Sequence, residues 1–325
     1  MDGLRAHYPD LELFNPGTDF PFPAKKSIDK CRKFFLNMKR PSFVVIDSLI
    51  LGVIPDLIEE FAAKNPVVAM VHLPLSLNPA FNENQKKHFK ESEIRSFKLS
   101  EIIIVTSGYT KSEIIKTGID NAKIHVITPG INTMPEKRNY PVRPRNLLCV
   151  SRISSSKGQL TLIKAIERIH QFDWKLTFCG GYDRQDVYYK EIMHRISDSG
   201  LENKIVFTGE IPRLEIEEYY RKADLLILTS FFETFSMVLQ EAMAFKIPVI
   251  STDSGATIQT ANPLVAKFYR PENNVELEKH LLSLFTDGNE YKKLADGYSK
   301  LDLKFETWSK KTEQFIRILE THDGT

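Results

Sequence analysis

Two glutamates, Glu233 and Glu241, follow a hydrophobic run and have seven residues between them. The run, Leu225–Leu228, is short and uninterrupted, which predicts a buried strand. From Phe235 onward, apolar residues recur at helical spacing, which predicts a helix. Glu233 would then lie in the loop between strand and helix, and Glu241 about two turns along the helix.

This position suits the binding of a ligand that carries both phosphate and sugar. Loops at the carboxyl ends of parallel strands are where open α/β sheets bind ligands. The unpaired amides at the start of the helix favour a phosphate, and nearby carboxylates can accept hydrogen bonds from sugar hydroxyls. Two glutamates at this spacing are more commonly solvated charges on a loop and a helix face. The preceding strand, Phe231, Phe232 and the closely packing Ala242–Ala244 segment favour the binding role here.

A second, basic motif lies upstream, where the apolar strand Leu147–Val150 runs into a polar loop. Arg152 and Lys157 are five residues apart across this loop, so both can reach one anion. Arginine offers a planar fork of donors and lysine a compact charge. A basic pair at a strand end is commonly only surface charge. Together with the Glu233 region, the pair predicts a clamp for a diphosphate.

In combination, these motifs resemble the carboxyl-terminal half of the retaining glycosyltransferases of family 4, which have the two-domain GT-B fold. Order and spacing agree from about Asn146 to Leu319. The shared elements are Arg152 with Lys157, Phe178–Gly181, Val206–Glu210, Ala223–Asp224, the Glu233–Glu241 segment, Pro248–Ser251 and Thr307–Trp308.

The amino-terminal half is similar to the same family in fewer places. The hydrophobic stretch from Val67 delivers His72 at the carboxyl end of a predicted strand. Bacterial members carry His-His-Pro-Leu at this point, so Leu73 departs from them. Two further strands are predicted, at Ile102–Val105 and at Ile124–Ile127.

The resemblance implies an α/β protein with two Rossmann-like parallel-sheet domains facing a cleft. We expect an acceptor-side domain over 1–135, a linker over 136–145, a nucleotide-sugar domain over 146–303, and a final helix over 304–325 that crosses back to the first domain. Family members usually open with a strand and a glycine-containing loop. This sequence opens on residues that resemble the end of the first helix, followed by a second strand at Leu11–Asn15. The first domain is therefore expected to be incomplete. A truncated start, a substitute strand and a natural fragment with weakened or lost activity all remain open as explanations.

Composition agrees with an ordinary two-domain globular protein of 325 residues, with 42% hydrophobic residues and a net charge of +2. The cysteines Cys31, Cys149 and Cys179 show neither a disulfide framework nor zinc-ligand spacing, which favours a reducing compartment. No apolar segment approaches 18 residues and no signal peptide is visible, so we expect a cytoplasmic protein. A basic cluster between Lys86 and Lys98 could touch anionic lipid at the inner face of the membrane. Interleaved glutamates favour a solvated helix face instead. Nucleic-acid binding has no support beyond the modest excess of basic residues.

The resemblance also implies a role for each residue of the expected site. Arg152 and Lys157 would neutralise the diphosphate of a nucleotide sugar of the UDP or GDP type, aided by amide groups near Phe235 from Ser236 and Met237. Glu241 would accept hydrogen bonds from the ribose, and Gly180, Glu210 and Ile211 would lie near the nucleoside. Glu233 would bind the donor sugar, and His72 would reach that sugar from the opposite domain. The segment Ser254–Ala256 either faces the sugar and phosphate or only turns the chain.

The implied activity is hexosyl transfer, with retention of configuration, to a glycan or a lipid-linked acceptor. Cationic side chains would replace a metal, and the sequence has no Asp-x-Asp pair that could hold one. Two alternatives remain open. One is a non-catalytic sugar-nucleotide-binding subunit or truncated inactive form. The other is a GT-B nucleotide-sugar epimerase.

Two departures from the family's pattern bear on this site. Thr234 and Ser236 stand where many members have glycines, which ease the approach of the backbone to a phosphate. Lys246 stands where a helix-terminating glycine is common. If that turn needs a positive φ, the lysine costs on the order of 1 kcal/mol.

Overall fold

The computed structural model describes residues 2–38, 43–132 and 138–322. The chain forms two compact units. Unit 1 comprises Met1–Gly130 and Glu306–Thr325, and unit 2 comprises Ile131–Phe305.

Unit 1 contains a parallel sheet with the strand order β1-β2-β3-β4 among its described residues. The strands are β1 Val44–Asp47, β2 Val67–Val71, β3 Ile102–Val105 and β4 Ile124–Val126. The helices are α1 Asp2–His7, α2 Lys25–Leu36, α3 Ser48–Leu51, α4 Pro55–Ala62, α5 Glu83–Leu99, α6 Gly108–Ile115 and, from the end of the chain, α14 Trp308–His322.

Successive residues of these strands point to opposite faces of the sheet, and both faces are covered. One face packs on α2, α4, α5 and α6 through residues such as Ile58 and Phe97. The other face, with Val68, Ile102 and Ile104, is covered by Leu319 of α14. Because both faces of the sheet are buried, almost every residue of its strands is apolar, as the sequence shows.

The strand predicted at Leu11–Asn15 is wrong, because none of these residues joins a ladder. They form an extended and mostly exposed segment, in which Phe14 stacks on Phe34 of α2 with ring centroids 4.2 Å apart. Local alternation of apolar and polar residues resembles a strand, but it carries no information about a pairing partner. The first described strand of the sheet is β1.

Unit 2 contains a six-stranded parallel sheet with the order β10-β9-β8-β5-β6-β7. The strands are β5 Asn146–Val150, β6 Lys175–Cys179, β7 Ile205–Gly209, β8 Leu225–Leu228, β9 Val249–Thr252 and β10 Ala266–Tyr269. The helices are α7 Gln159–Ile166, α8 Val187–Asp198, α9 Arg213–Lys222, α10 Met237–Ala244, α11 Thr257–Thr260, α12 Asn274–Thr286 and α13 Gly288–Gly297.

Helices cover both faces of this sheet as well. Leu147 and Cys149 of β5 face α7, α8, α12 and α13. Leu148 and Val150 face the other way, onto Tyr220 of α9 and Leu239 of α10. All three cysteines of the protein are buried and free. Burial raises the pKa of Cys149 to about 12, so its thiol is inert at neutral pH.

The boundary between the units falls after Gly130, and the predicted boundary at 135/136 lies outside the described residues. The described part of the predicted linker packs on unit 2. The Arg138 guanidinium donates to the carbonyls of Tyr220 and Phe245 at 3.3 and 3.2 Å. The Tyr140 hydroxyl donates to the carbonyl of Lys246 at 2.8 Å. Glu306 and the helix after it belong to unit 1.

Among the described helices, none has the length and apolar character that crossing a bilayer requires.

Candidate functional site

The two motifs singled out in the sequence follow neighbouring strands of unit 2. β5 and β8 pair in parallel, with Leu147 opposite Leu225. β8 spans Leu225–Leu228, as predicted. Because parallel strands end at the same edge of a sheet, the loop after β5 and the loop after β8 lie side by side.

An ion pair joins these loops. Lys157 Nζ lies 2.7 Å from Glu233 Oε1, and the two side chains are 33% and 15% exposed. Backbone contacts support the pair: the Thr229 hydroxyl donates to the Lys157 carbonyl at 2.6 Å, and the Phe231 amide donates to the Ser156 carbonyl at 2.9 Å. The structure therefore brings together the two charges that the sequence placed in one site.

Gly158 makes this close approach possible. Its φ is +63°, and a Cβ there would lie 2.3 Å from the Thr229 carbonyl oxygen. The next residue, Gln159, is fully buried. Its side-chain amide donates to Ser151 Oγ at 2.8 Å and to the Arg152 carbonyl at 2.9 Å. Gln159 thus holds the basic loop, a role that the sequence analysis missed because a glutamine at a helix start is unremarkable in type.

Arg152 is exposed on this loop. Within the described ranges its guanidinium forms none of the ion pairs found in the structure. The adjoining backbone is fixed, because the Ile153 amide donates to the Gly181 carbonyl at 2.9 Å. Arg152 is therefore an available cation at the edge where β5 and β6 end.

The helix after β8 begins later than predicted. α10 starts at Met237, and Phe235 lies in the loop. Ser236 is the N-cap residue, with φ +68°, and its hydroxyl accepts a hydrogen bond from the Leu239 amide at 3.4 Å. Among the predicted amide donors, Met237 therefore holds the first helical position, where no intrahelical acceptor exists. Ser236 lies just outside the helix.

The loop after β9 packs against the backbone of Glu233. Gly255 has φ +64°, and a Cβ on it would lie 2.1 Å from the Glu233 carbonyl oxygen. The Ala256 amide donates to the same oxygen at 2.8 Å, and the Ser254 hydroxyl donates to the Phe231 carbonyl at 2.5 Å. In this structure the segment Ser254–Ala256 contacts the backbone of the Glu233 loop.

Glu241 has two partners on α9. The Tyr220 hydroxyl donates to Glu241 Oε2 at 2.7 Å, and Arg213 Nη1 lies 2.8 Å from Oε1. Burial, and then the adjacent Glu241 charge, raise the pKa of Tyr220 well above its ordinary value, so its hydroxyl stays a donor. Both partners were missed. A tyrosine on an amphipathic helix resembles an ordinary core residue, and Arg213 is remote from Glu241 in sequence.

The predicted nucleoside side of the site lies at the ends of β6 and β7. The Gly180 amide donates to the Gly209 carbonyl at 3.1 Å. A Cβ at Gly180, whose φ is +150°, would lie 2.2 Å from the Ser151 carbonyl oxygen. Glu210 follows Gly209 and is exposed, whereas Ile211 packs partly into the core. Gly180 therefore adjoins the basic loop, and Glu210 and Ile211 follow the glycine with which it pairs.

His72 belongs to unit 1, where it follows β2. Its Nε2 lies 3.5 Å from Asp47 Oδ2. The loop after it is held by the buried Glu93 of α5, whose carboxylate accepts from the Leu75 amide at 2.5 Å and from the Ser76 hydroxyl at 2.6 Å. Burial raises the pKa of Glu93 despite these hydrogen bonds. His72 is thus an exposed imidazole on an anchored loop.

No three histidine, cysteine, aspartate or glutamate side chains gather into a metal-binding group in the part of the chain that the structure describes.

Comparison with known proteins places both units in recognised families. Residues 131–300 match the family model described as glycosyl transferases group 1, and residues 10–134 match that of glycosyltransferase family 4. The amylovoran biosynthesis glycosyltransferase AmsK of Erwinia amylovora is 26% identical over 221 residues, which are 63% of this chain and 51% of that protein. Mannosylfructose-phosphate synthase of Agrobacterium fabrum is 23% identical over 258 residues, which are 72% of this chain and 56% of that protein. The chain thus spans about half the length of these relatives.

Solved structures show the same fold. Sucrose-phosphate synthase from Thermosynechococcus elongatus superposes with a TM-score of 0.74 at 21% identity, covering 91% of this chain and 77% of that one. Anabaena HepE in complex with UDP superposes with a TM-score of 0.70 at 20% identity, covering 91% and 82%. Two parallel-sheet α/β domains of the GT-B type are therefore common to all three proteins.

Proposed function

The chain belongs to glycosyltransferase family 4, and from that premise we propose that it transfers a hexosyl group from a nucleotide diphosphate sugar to a glycan or lipid-linked acceptor, with retention of configuration. Relatives named for amylovoran biosynthesis and for lipopolysaccharide core biosynthesis support this class of acceptor. The UDP in the HepE complex supports a nucleotide donor.

One observation carries the proposal: the 2.7 Å contact between Lys157 and Glu233. It joins a cation and an acid from two separate motifs at the carboxyl edge of a parallel sheet, beside the start of α10. A donor with a diphosphate and a sugar needs that combination of charges. We assign the diphosphate to Arg152, Lys157 and the Met237 amide, and the sugar hydroxyls to Glu233.

The chemical role of the cations follows from where charge grows during transfer. As the glycosidic bond breaks, negative charge increases on the departing diphosphate. Fixed donors that face this charge stabilise the transition state more than the ground state. Arg152 and Lys157 supply the positive charge that opposes it in our proposal, and transfer then proceeds without a divalent metal. Activity that persists unchanged in a chelator such as EDTA is the expected result.

The nucleoside has its own set of contacts in the proposal. Glu241 accepts hydrogen bonds from the ribose, and the backbone at Gly180, Glu210 and Ile211 lies along the base. Phe235 and Ser236 shape the turn beside the phosphates.

His72 acts on the donor sugar in this proposal. We therefore predict that His72→Ala lowers the turnover rate more than it lowers nucleotide affinity.

The clamp predicts a specific loss of nucleotide affinity. Replacing Arg152 or Lys157 by alanine removes a charge-assisted contact to the diphosphate, and each replacement should weaken UDP or GDP binding by about tenfold or more. Isothermal titration calorimetry measures this change. Lys164→Ala is the matched control, because Lys164 is an exposed cation on α7 and lies outside the clamp.

Turnover of a panel of nucleotide sugars tests the reaction itself. Transfer to an acceptor, with the anomeric configuration retained in the NMR spectrum of the product, supports the proposal. Interconversion of the sugar without transfer would identify an epimerase. Tight donor binding without transfer, hydrolysis or epimerisation would identify a non-catalytic binding subunit. Unchanged nucleotide affinity in both clamp variants would contradict the proposed site.

A further inference from the structure

Both carboxylate oxygens of Glu241 have partners in the free protein. Tyr220 donates to Oε2 at 2.7 Å, and Arg213 lies 2.8 Å from Oε1. Glu241, which the proposed function assigns to the ribose, is therefore already paired with the Arg213 guanidinium. A nucleotide has to share this carboxylate with Arg213 or displace it.

The two partners differ in how firmly they are held. Tyr220 is 1% exposed, and its ring stacks on Phe245 at 5.3 Å between centroids. Arg213 has a side chain that is 53% exposed, and it touches a carboxylate that is only 10% exposed. Tyr220 is fixed by packing, whereas Arg213 can swing into solvent by rotating its own side chain.

The position of Arg213 on α9 indicates that its side chain serves the contact with Glu241 and does not stabilise α9 itself. It is the first residue of α9, where the positive end of the helix dipole disfavours a cation. The pairing with Glu241 joins α9 to α10 and offsets this disadvantage. Arg213 also follows the Gly209–Ile211 turn, which adjoins the proposed nucleoside position.

We infer that Arg213 is a specificity-determining residue, which occupies Glu241 Oε1 in the free protein and gives way to the ribose hydroxyls when a nucleotide binds. Tyr220 keeps Oε2 and holds the carboxylate in place throughout. This inference rests on the proposed ribose role of Glu241. If the inference holds, the cost of breaking the ion pair between Arg213 and Glu241 offsets part of the free energy gained when the ribose binds.

A nucleotide that lacks the ribose hydroxyls leaves the Arg213–Glu241 pair intact. The informative quantity is therefore the ratio of the dissociation constants for the 2′,3′-dideoxynucleoside diphosphate and the parent nucleoside diphosphate. Both probes carry the same base and the same diphosphate, so the general effect of removing a positive charge cancels in this ratio.

The experiment is isothermal titration calorimetry with UDP and GDP, followed by the dideoxy form of whichever binds. In Arg213→Gln no pair has to break, so the ratio should rise about threefold, as expected for a half-exposed ion pair. Arg213→Lys keeps a cation and should stay within twofold of wild type. Lys222→Ala removes an exposed cation from the other end of α9 and should leave the ratio unchanged.

A ratio that stays unchanged or falls in Arg213→Gln overturns the inference. Thermal melting of each variant checks that it is folded, and Arg213→Lys supplies a second folded comparison. Glu241→Gln separates this failure from that of the proposed function. If Glu241→Gln lowers the ratio while Arg213→Gln does not raise it, only the inference about Arg213 fails. If wild type binds neither UDP nor GDP, or Glu241→Gln leaves the ratio unchanged, the ribose assignment fails and the inference fails with it.

Discussion

At the scale of single residues, both glutamates of the proposed site are already paired with cations in the free protein. Glu233 is paired with Lys157, and Glu241 is paired with Arg213. The nearness of Lys157 and Glu233 could be anticipated from sequence, because each follows an apolar strand and parallel strands end at one edge. The second pair could not, because Arg213 meets Glu241 only through the packing of α9 on α10. Side-chain types and local spacing give no signal for such a contact.

Lys246 adopts a positive φ, a backbone conformation that lysine disfavours. It lies two residues after the end of α10 and has φ +53°. The Lys246 amide donates to the Met243 carbonyl at 3.1 Å, and the Ile247 amide donates to the Ala242 carbonyl at 2.9 Å. This is the paired closing pattern in which glycine is the preferred residue. The resemblance to the family indicates a position where glycine is common, and the positive φ of Lys246 explains that preference.

Replacing Lys246 by glycine should therefore stabilise unit 2 by about 0.5–1 kcal/mol, because glycine adopts a positive φ without steric cost. Urea denaturation followed by tryptophan fluorescence measures the change. Lys246→Ala is the control, since it removes the same side chain and keeps the strained conformation. A gain of equal size in the alanine variant would show that the lysine side chain, not the backbone, is responsible.

At the scale of elements, strands were easier to predict than the turns between them. β8 was predicted with its correct bounds because four consecutive buried apolar residues mark a strand with both faces covered. The start of α10 was misplaced by two residues because Ser236 takes a positive φ that its residue type does not indicate. The segment Leu11–Asn15 was mistaken for a strand because alternation alone does not supply a neighbouring ladder.

The turn at Gly255 offers a test at this scale. A methyl group there would lie 2.1 Å from the Glu233 carbonyl oxygen, in a residue with φ +64°. Gly255→Ala should displace the Glu233 loop, lowering the unfolding free energy by about 2 kcal/mol or more. It should also lower the proposed transfer activity by about 100-fold, as expected when a substrate-positioning group moves by about 1 Å.

Gly200→Ala is the matched control, because Gly200 has the same φ of +64° and no atom within 4 Å of the added methyl group. It reports the cost of the backbone conformation alone. If Gly255→Ala and Gly200→Ala lose equal stability and both keep activity, the close packing beneath Glu233 has no functional weight.

At the scale of the whole molecule, the two-sheet architecture could be predicted because several motifs agree in order and spacing over more than half the chain. What could not be predicted was the membership of the connecting residues. Arg138 and Tyr140 bond to backbone carbonyls of unit 2, and these contacts depend on the folded positions of α9 and α10. The prolines and charged residues of this segment indicated a linker between the two domains. They did not indicate the unit against which the linker packs.

Each unit contains one of the two tryptophans, which allows their stabilities to be measured separately. Trp174 lies in unit 2 and Trp308 in unit 1. Leu319 of α14 is buried against Val68, Ile102 and Ile104 of the unit 1 sheet. Leu319→Ala should lower the unfolding free energy of unit 1 by about 2–4 kcal/mol through the cavity that it leaves.

This variant is measured in two backgrounds, Trp174→Phe and Trp308→Phe, so that fluorescence reports one unit at a time. The transition reported by Trp308 should shift, and the one reported by Trp174 should not. Leu36→Ala serves as the control because Leu36 is 76% exposed in the same unit. Equal shifts of both transitions would show that the two units unfold together.

The return of the chain to unit 1 also sets an order of events during synthesis. Unit 2 is one continuous stretch, Ile131–Phe305, whereas unit 1 is assembled from two pieces that flank it. The ribosome therefore completes all of unit 2 before it makes α14. Until that helix emerges, the sheet face of Val68, Ile102 and Ile104 lacks the part of its cover that α14 provides. The nascent amino-terminal half carries an exposed apolar surface for the time needed to translate the entire second unit, and this interval is when it is most exposed to aggregation and most dependent on chaperones.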